Sequence, residues 1–301
     1  MNPEQTRQQI EIIRQGSTPL QPIPTGQSPR LESLESIQGV LFDVYGTLII
    51  SGVGDISIAG DQDRDEPLCQ ALEASGFSLN AEADGLAQRF YDAIHQAQTD
   101  EKEKQENLEF PEVEIREVWQ TFIKTLIGEA TLEGELTLAR VAETAVRYEL
   151  AVNPVYPMPG CESLITELKS RGLPVGIVSN AQFFTPLLFE AFFGKTLEDL
   201  GVDPGVSIWS YLLREAKPSK NLYREAADEW WEHYRIKPQH LLYIGNDIRN
   251  DIWPAAAAKF RTALFAGDKR SLRLREDDPD CASVKPDLVI TDLSQVLDCI
   301  G

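Results

Sequence analysis

The chain has 301 residues, with 48 Asp or Glu against 28 Lys or Arg, a net charge of −20 and an isoelectric point near 4.6. That length allows a full hydrophobic core and one to three domains. So acidic a surface repels nucleic acid and anionic lipid, so we expect neither as a partner, though a bound cation would still admit a phosphorylated ligand. Cys69, Cys161, Cys281 and Cys299 are scattered without metal-ligand spacing and fit a reducing compartment. The first residues lack the basic and apolar regions of a signal peptide, and no apolar run approaches membrane-spanning length. The expectation is a cytoplasmic protein.

In chain order, residues 1–36 read as a polar, Pro-rich arm. Within it, Glu4 to Arg14 is expected to form a short helix with Ile10, Ile12 and Ile13 as its apolar patch. Gly39-Val-Leu-Phe42 is short, apolar and partly β-branched, which predicts a buried strand closed by Asp43. Ser51 to Asp65 is rich in Gly and Asp and predicts a loop. From Glu66 to about Ala151 the period turns helical: a helix opened by Pro67, a second capped by Asn80, a third starting at Pro111 and a fourth over about 135–150. Strand and helix patterns then alternate from residue 154, with strands at 174–180, 206–210, 241–245, 262–265 and 288–290. This alternation predicts a doubly wound parallel sheet with helices on both faces, interrupted by an inserted α-helical block. The expected division is an arm over 1–36, an α/β core over 37–51 and 154–301, and a helical cap over 52–153.

In such sheets the polar residues that close the strands gather at one carboxyl edge. Here they are Asp43, Ser179-Asn180, and Asn246-Asp247 with Asn250-Asp251, joined by Lys217-Pro218 ahead of a helix. Taken singly, each has a plain structural reading. Asp43 could close an Asx turn, Ser179-Asn180 and Asp251 could cap helices, and Lys217 could lie on the surface. Together they supply three carboxylates, a hydroxyl and an amine. Three converging carboxylates call for a cation, and Mg²⁺ suits hard oxygen ligands. The set is the inventory for phosphoryl transfer to an Asp nucleophile.

The segments Asp43-Val-Tyr-Gly-Thr47, Ser179-Asn180, Lys217-Pro218 and Gly245-Asn-Asp247-Ile-Arg-Asn-Asp251 resemble, in order, the four motifs of the haloacid dehalogenase-like hydrolases. The resemblance covers about residues 37–50 and 154–268, and the helical insertion resembles the first type of cap in that superfamily. It implies a Rossmann-like core and makes Asp43 the nucleophile that forms a covalent aspartyl intermediate. It also implies that Thr47, Ser179, Asn180 and Lys217 bind a small, phosphorylated substrate. Mg²⁺ would be held by Asp43, the Tyr45 carbonyl, Asp247 and Asp251.

One position departs from the phosphatase pattern. The residue two beyond the nucleophile, where those enzymes carry an acid/base Asp, is Tyr45. A phenol, with a reference pKa of about 10, is a poor base near neutrality. Three readings follow, and the acidic last motif, Gly245-Asn-Asp247, favours the first over the second. The first is a Mg²⁺-dependent phosphohydrolase for substrates whose leaving group needs no proton. The second is a metal-free 2-haloacid dehalogenase, since those relatives carry Tyr here. They also have Ser and Asn in the last motif and a halide-binding Arg about thirty residues past the nucleophile, and residues 72–80 contain no Arg. The third is a binding or regulatory protein on the same scaffold. The oligomeric state stays open, a homo-oligomer included.

Overall fold

The computed structural model describes residues 3–52, 64–80, 84–105 and 107–300. All but the two ends of the expected Ser51–Asp65 loop lie outside them. Helix α1 (Pro3–Gly16) precedes β1 (Gly39–Phe42) and β2 (Ile49–Ser51). The helical insertion then comprises α2 (Asp65–Ala74), α3 (Leu86–Lys104), α4 (Ile115–Gly128) and α5 (Leu138–Val152). It also carries a small antiparallel pair, β3 (Ser78–Leu79) with β4 (Leu132–Glu133), which the sequence did not signal. The chain returns through β5 (Val155–Pro157), paired antiparallel with β2, so the two connections to the insertion run side by side.

From there the order is α6 (Cys161–Ser170), β6 (Val175–Ser179), α7 (Thr185–Phe193), α8 (Leu197–Leu200), β7 (Ile208–Trp209), α9 (Ser210–Leu213) and α10 (Lys220–Tyr234). The last elements are β8 (Leu241–Gly245), α11 (Trp253–Ala257), β9 (Arg261–Phe265), β10 (Leu288–Ile290) and α12 (Val296–Cys299). Six strands form a parallel sheet in the order β10-β9-β8-β1-β6-β7. The register sets Phe42 beside both Ile177 and Ile244, so the residues just past β1, β6 and β8 come level at one edge. β1, β6 and β8 are buried along their whole length, as strands covered on both faces must be.

The expected doubly wound sheet with a helical insertion is therefore present, with local differences. Asn80 is not a helix cap: α3 begins after Gly85, and the Asn80 amide instead donates to Glu133 at 2.8 Å and lies 3.5 Å from the Ala130 carbonyl. The third helix starts at Ile115 behind the Glu114 cap, while Pro111 bridges to Glu215. At 206–210 only Ile208 and Trp209 are strand, because the 3₁₀ turn Pro204–Val206 takes up the start. The arm packs on the body. Ile10, Ile12 and Ile13 are buried where α1 lies against α5 and α7, and Arg14 donates to the Ala191 carbonyl at 2.8 Å. Among the described residues no helix is long and apolar enough to cross a membrane.

Candidate active site

The carboxyl edge of the sheet and the inserted helices enclose a cavity of about 820 Å³, with Asp43, Tyr45, Asn180, Lys217, Asp247 and Asp251 in its wall. β1 delivers Asp43, whose backbone N–H still pairs with the Ile244 carbonyl at 2.9 Å. The sharp turn behind it depends on Gly46, which sits at φ +83°. A Cβ there would also come within 2.5 Å of Ser271 and 2.9 Å of Asn246, so glycine is required twice over.

Asp43 is buried, and its Oδ1 accepts from the Ser179 hydroxyl at 2.8 Å and lies 2.7 Å from Lys217 Nζ. Ser179 is therefore a partner of Asp43 and not a cap, and α7 has no side-chain cap at all. Asn180 positions Lys217 by accepting its backbone N–H at 2.7 Å. Lys217 is 7% exposed, so it is no surface lysine, and its ammonium also reaches Asp251 Oδ1 at 2.7 Å. Burial alone would lower the Lys217 pKa; Asp251 and Asp43 outweigh it, and the ammonium is held above its ordinary range.

Asp251 is saturated. Lys217 and the Tyr243 hydroxyl, at 2.9 Å, approach its Oδ1, and the N–H groups of Asn246 and Asp247 donate to its Oδ2 at 3.0 and 2.9 Å. It ties back the loop after β8 and caps no helix. That contact needs Gly245, where a Cβ would meet Asp251 Cγ at 2.4 Å. The capping residue is Asp247, whose Oδ1 accepts from Arg249 N at 2.8 Å and Asn250 N at 3.2 Å at the head of a π-helical turn, Ile248–Ile252. Arg275 closes the same carboxylate from the other side, with Nε 3.1 Å from Oδ1 and Nη2 2.5 Å from Oδ2. Thr47 faces inward, its hydroxyl donating to Asn246 Oδ1 at 3.1 Å.

The Mg²⁺ ligand set implied by the resemblance is not assembled in this arrangement. Mg²⁺ needs free hard oxygens in near-octahedral array. Here both oxygens of Asp251 and both of Asp247 already accept hydrogen bonds, and a guanidinium stands against Asp247. Among the described residues no group of three or more His, Cys, Asp or Glu is placed to hold a metal.

The Tyr45 hydroxyl lies 2.9 Å from Thr185 Oγ1 at the start of α7. Burial first, then the charge of Glu149, drive the phenol pKa far above its ordinary value against the Thr185 hydrogen bond. It stays protonated at neutral pH and is therefore no base there.

Several cavity residues escaped the sequence reading, Arg64 and Glu149 among them. Arg64 is buried on the insertion side, donates to the Tyr91 hydroxyl and lies 5.7 Å from the centre of that ring. It is the one basic residue between Ser51 and Asp65, which is the signal that could have found it. Glu149 on α5 lines the same cavity and accepts from the Asn153 amide at 3.1 Å. Nothing in its helical pattern marks it. Of the other aromatic and basic side chains of the insertion, Phe90, Tyr91, His95, Trp119 and Tyr148 line the cavity, while Arg89 pairs with Glu129 at 2.7 Å.

Burial pushes the Glu149 carboxyl up to about 7, against the Asn153 amide and Arg64. Between its unfolded value of 4.5 and about 7 the folded chain keeps a proton that the unfolded chain has lost, so stability falls as pH rises through that window. Glu149→Gln is therefore expected to raise the thermal midpoint less at pH 5 than at pH 8, with a difference on the order of 2 kcal/mol in stability between the two. Equal shifts at both pH values would refute the assignment.

A family model described as haloacid dehalogenase-like hydrolase matches residues 37–259. Curated protein sequences give no match. Among solved structures, the L-2-haloacid dehalogenase of Xanthobacter autotrophicus is 18% identical, with 86% of this chain and 96% of that one covered at a TM-score of 0.46. A predicted phosphoglycolate phosphatase of Haemophilus somnus 129pt is 17% identical, with 87% and 97% covered at a TM-score of 0.46. On the family match over most of its length, the chain belongs to the haloacid dehalogenase-like hydrolases.

Proposed function

We propose that this hydrolase uses Asp43 as a nucleophile on a small anionic molecule whose leaving group departs without taking up a proton. The observation that carries the reading is the contrast within Asp43-Val-Tyr45. Asp43 is held at Oδ1 by Ser179 and Lys217 at one wall of the cavity, while the phenol two residues on is hydrogen-bonded to Thr185 and, with its pKa pushed up by burial, is a poor proton donor to a departing oxygen. In the first step Asp43 Oδ2 bonds to the electrophilic atom and the leaving group carries away the electron pair of the broken bond. Water then opens the covalent intermediate and restores the carboxylate.

Two leaving groups meet that condition: a halide on the carbon of a 2-haloacid, and the acyl or phosphate oxygen of an anhydride. The charge arrangement favours the halide. A carbon electrophile is uncharged, whereas a phosphoryl dianion approaching Asp43 needs a cation between them. The Asp247 and Asp251 oxygens that would help to hold that cation already accept hydrogen bonds in this arrangement, and Arg64 supplies a buried positive charge in the wall for a substrate carboxylate. The second reading, a Mg²⁺-dependent phosphohydrolase, draws on one observation: Asp43, Asp247 and Asp251 all line the same cavity. It requires Arg275 to leave Asp247.

Halide release from 2-chloropropionate and phosphate release from acetyl phosphate, each with Mg²⁺ and with EDTA, separate the two readings. EDTA-resistant halide release is the expected result. Phosphate release abolished by EDTA, with no halide release, would replace the first reading by the second. Tyr45→Phe is expected to keep kcat within about threefold, because the hydroxyl handles no proton in the reaction. A fall of about 10²–10⁴, the usual loss of a general acid or base, would show the opposite.

A further inference from the structure

We infer that Arg275 stands in the place of a divalent cation, so that this member of the family keeps an acidic last motif while excluding metal from it. The inference rests on Asp43 being the reacting carboxylate and concerns what balances the charge beside it. Three carboxylates face one cavity, and two cations interleave with them: Lys217 between Asp43 and Asp251, and Arg275 on Asp247. The guanidinium meets Asp247 through two nitrogens, the planar fork that matches a carboxylate and that a hydrated Mg²⁺ would have to displace.

The backbone delivers it. The segment after β9 runs beside the loop after β8, with Arg273 N donating to the Asn246 carbonyl at 3.0 Å and Ile248 N to the Arg273 carbonyl at 2.9 Å. Arg275 then sits at φ +54°, a left-handed conformation that non-glycine residues seldom adopt. The N-terminal arm braces this segment from behind. Lys269 N donates to the Ile23 carbonyl at 2.8 Å, and the Thr25 hydroxyl to the Ala266 carbonyl at 2.7 Å. Thus the arm holds the chain that brings Arg275 to Asp247.

The test is metal binding on the full-length, EDTA-treated chain, read by Mn²⁺ electron paramagnetic resonance, which needs no substrate. The wild type is expected to show no stoichiometric Mn²⁺ site below millimolar concentration. Arg275→Gln is expected to gain one Mn²⁺ per chain, bound about 10–100-fold more tightly, and Arg275→Gln with Asp247→Asn to lose it again. Micromolar binding by the wild type would overturn the inference by itself, without recourse to a variant. So would Arg275→Gln that is folded by circular dichroism yet binds no better than wild type. Because the readout is independent of turnover, an error in the choice of substrate or in the role of Asp43 leaves this test intact.

Discussion

Replacing Asp43 by Asn is expected to reduce turnover by about 10⁴-fold or more while leaving the chain folded. The amide oxygen can still accept from Ser179 and Lys217, the two contacts that hold Asp43 Oδ1, so the local structure has no reason to open. What is lost is the charge and electron pair that attack the substrate. Multiple turnovers of the wild type in H₂¹⁸O, followed by mass spectrometry of the peptide containing Asp43, give a positive counterpart. If the intermediate is an ester on carbon and water attacks its carboxyl carbon, solvent oxygen accumulates in Asp43. If it is an acyl phosphate and water attacks phosphorus, the label leaves with phosphate and Asp43 stays unlabelled. A variant with turnover within tenfold of wild type would remove Asp43 from the chemistry.

Lys217→Met should be the most destabilising single change in the site, at about 3–5 kcal/mol in urea denaturation. The ammonium lies 2.7 Å from each of two buried carboxylates, and a thioether of similar length leaves both without their counter-charge. Asp251 keeps Tyr243 and two backbone N–H donors, so the larger share of the cost falls on Asp43, whose side chain among the described residues keeps only Ser179. Adding Asp251→Asn to Lys217→Met is expected to recover part of the loss, since one of the two facing charges is then gone. A loss below about 1 kcal/mol for the single variant would mean that water reaches these carboxylates freely, and the burial on which the site depends would be misjudged.

The α/β core was legible because its signals are local. Val40 to Phe42, Val175 to Val178 and Leu241 to Ile244 are short apolar runs that only a covered parallel sheet accommodates. The polar residues that close them follow directly in the chain. Hence Asp43, Ser179, Lys217 and Asp251 were all recognisable as members of one site before their contacts were known. The partial errors have local causes too. Asn80 has a capping side chain, but its donors found Glu133 on the neighbouring β4, and tertiary pairing outweighed a cap worth about 1 kcal/mol.

What the sequence determined alone is the sheet, the helical insertion and the set of groups at the carboxyl edge, because strand period and strand ends are properties of consecutive residues. Which of those groups are free and which are spent was decided only by tertiary contacts across long stretches of chain. Arg275 reaches back 28 residues to Asp247, Thr185 takes the Tyr45 hydroxyl from 140 residues away, and Arg64 and Glu149 enter the cavity wall from the insertion. Charge compensation between such residues leaves no period in the sequence. It is therefore the tertiary structure that turns an acidic motif suited to Mg²⁺ into one already neutralised by the protein's own guanidinium.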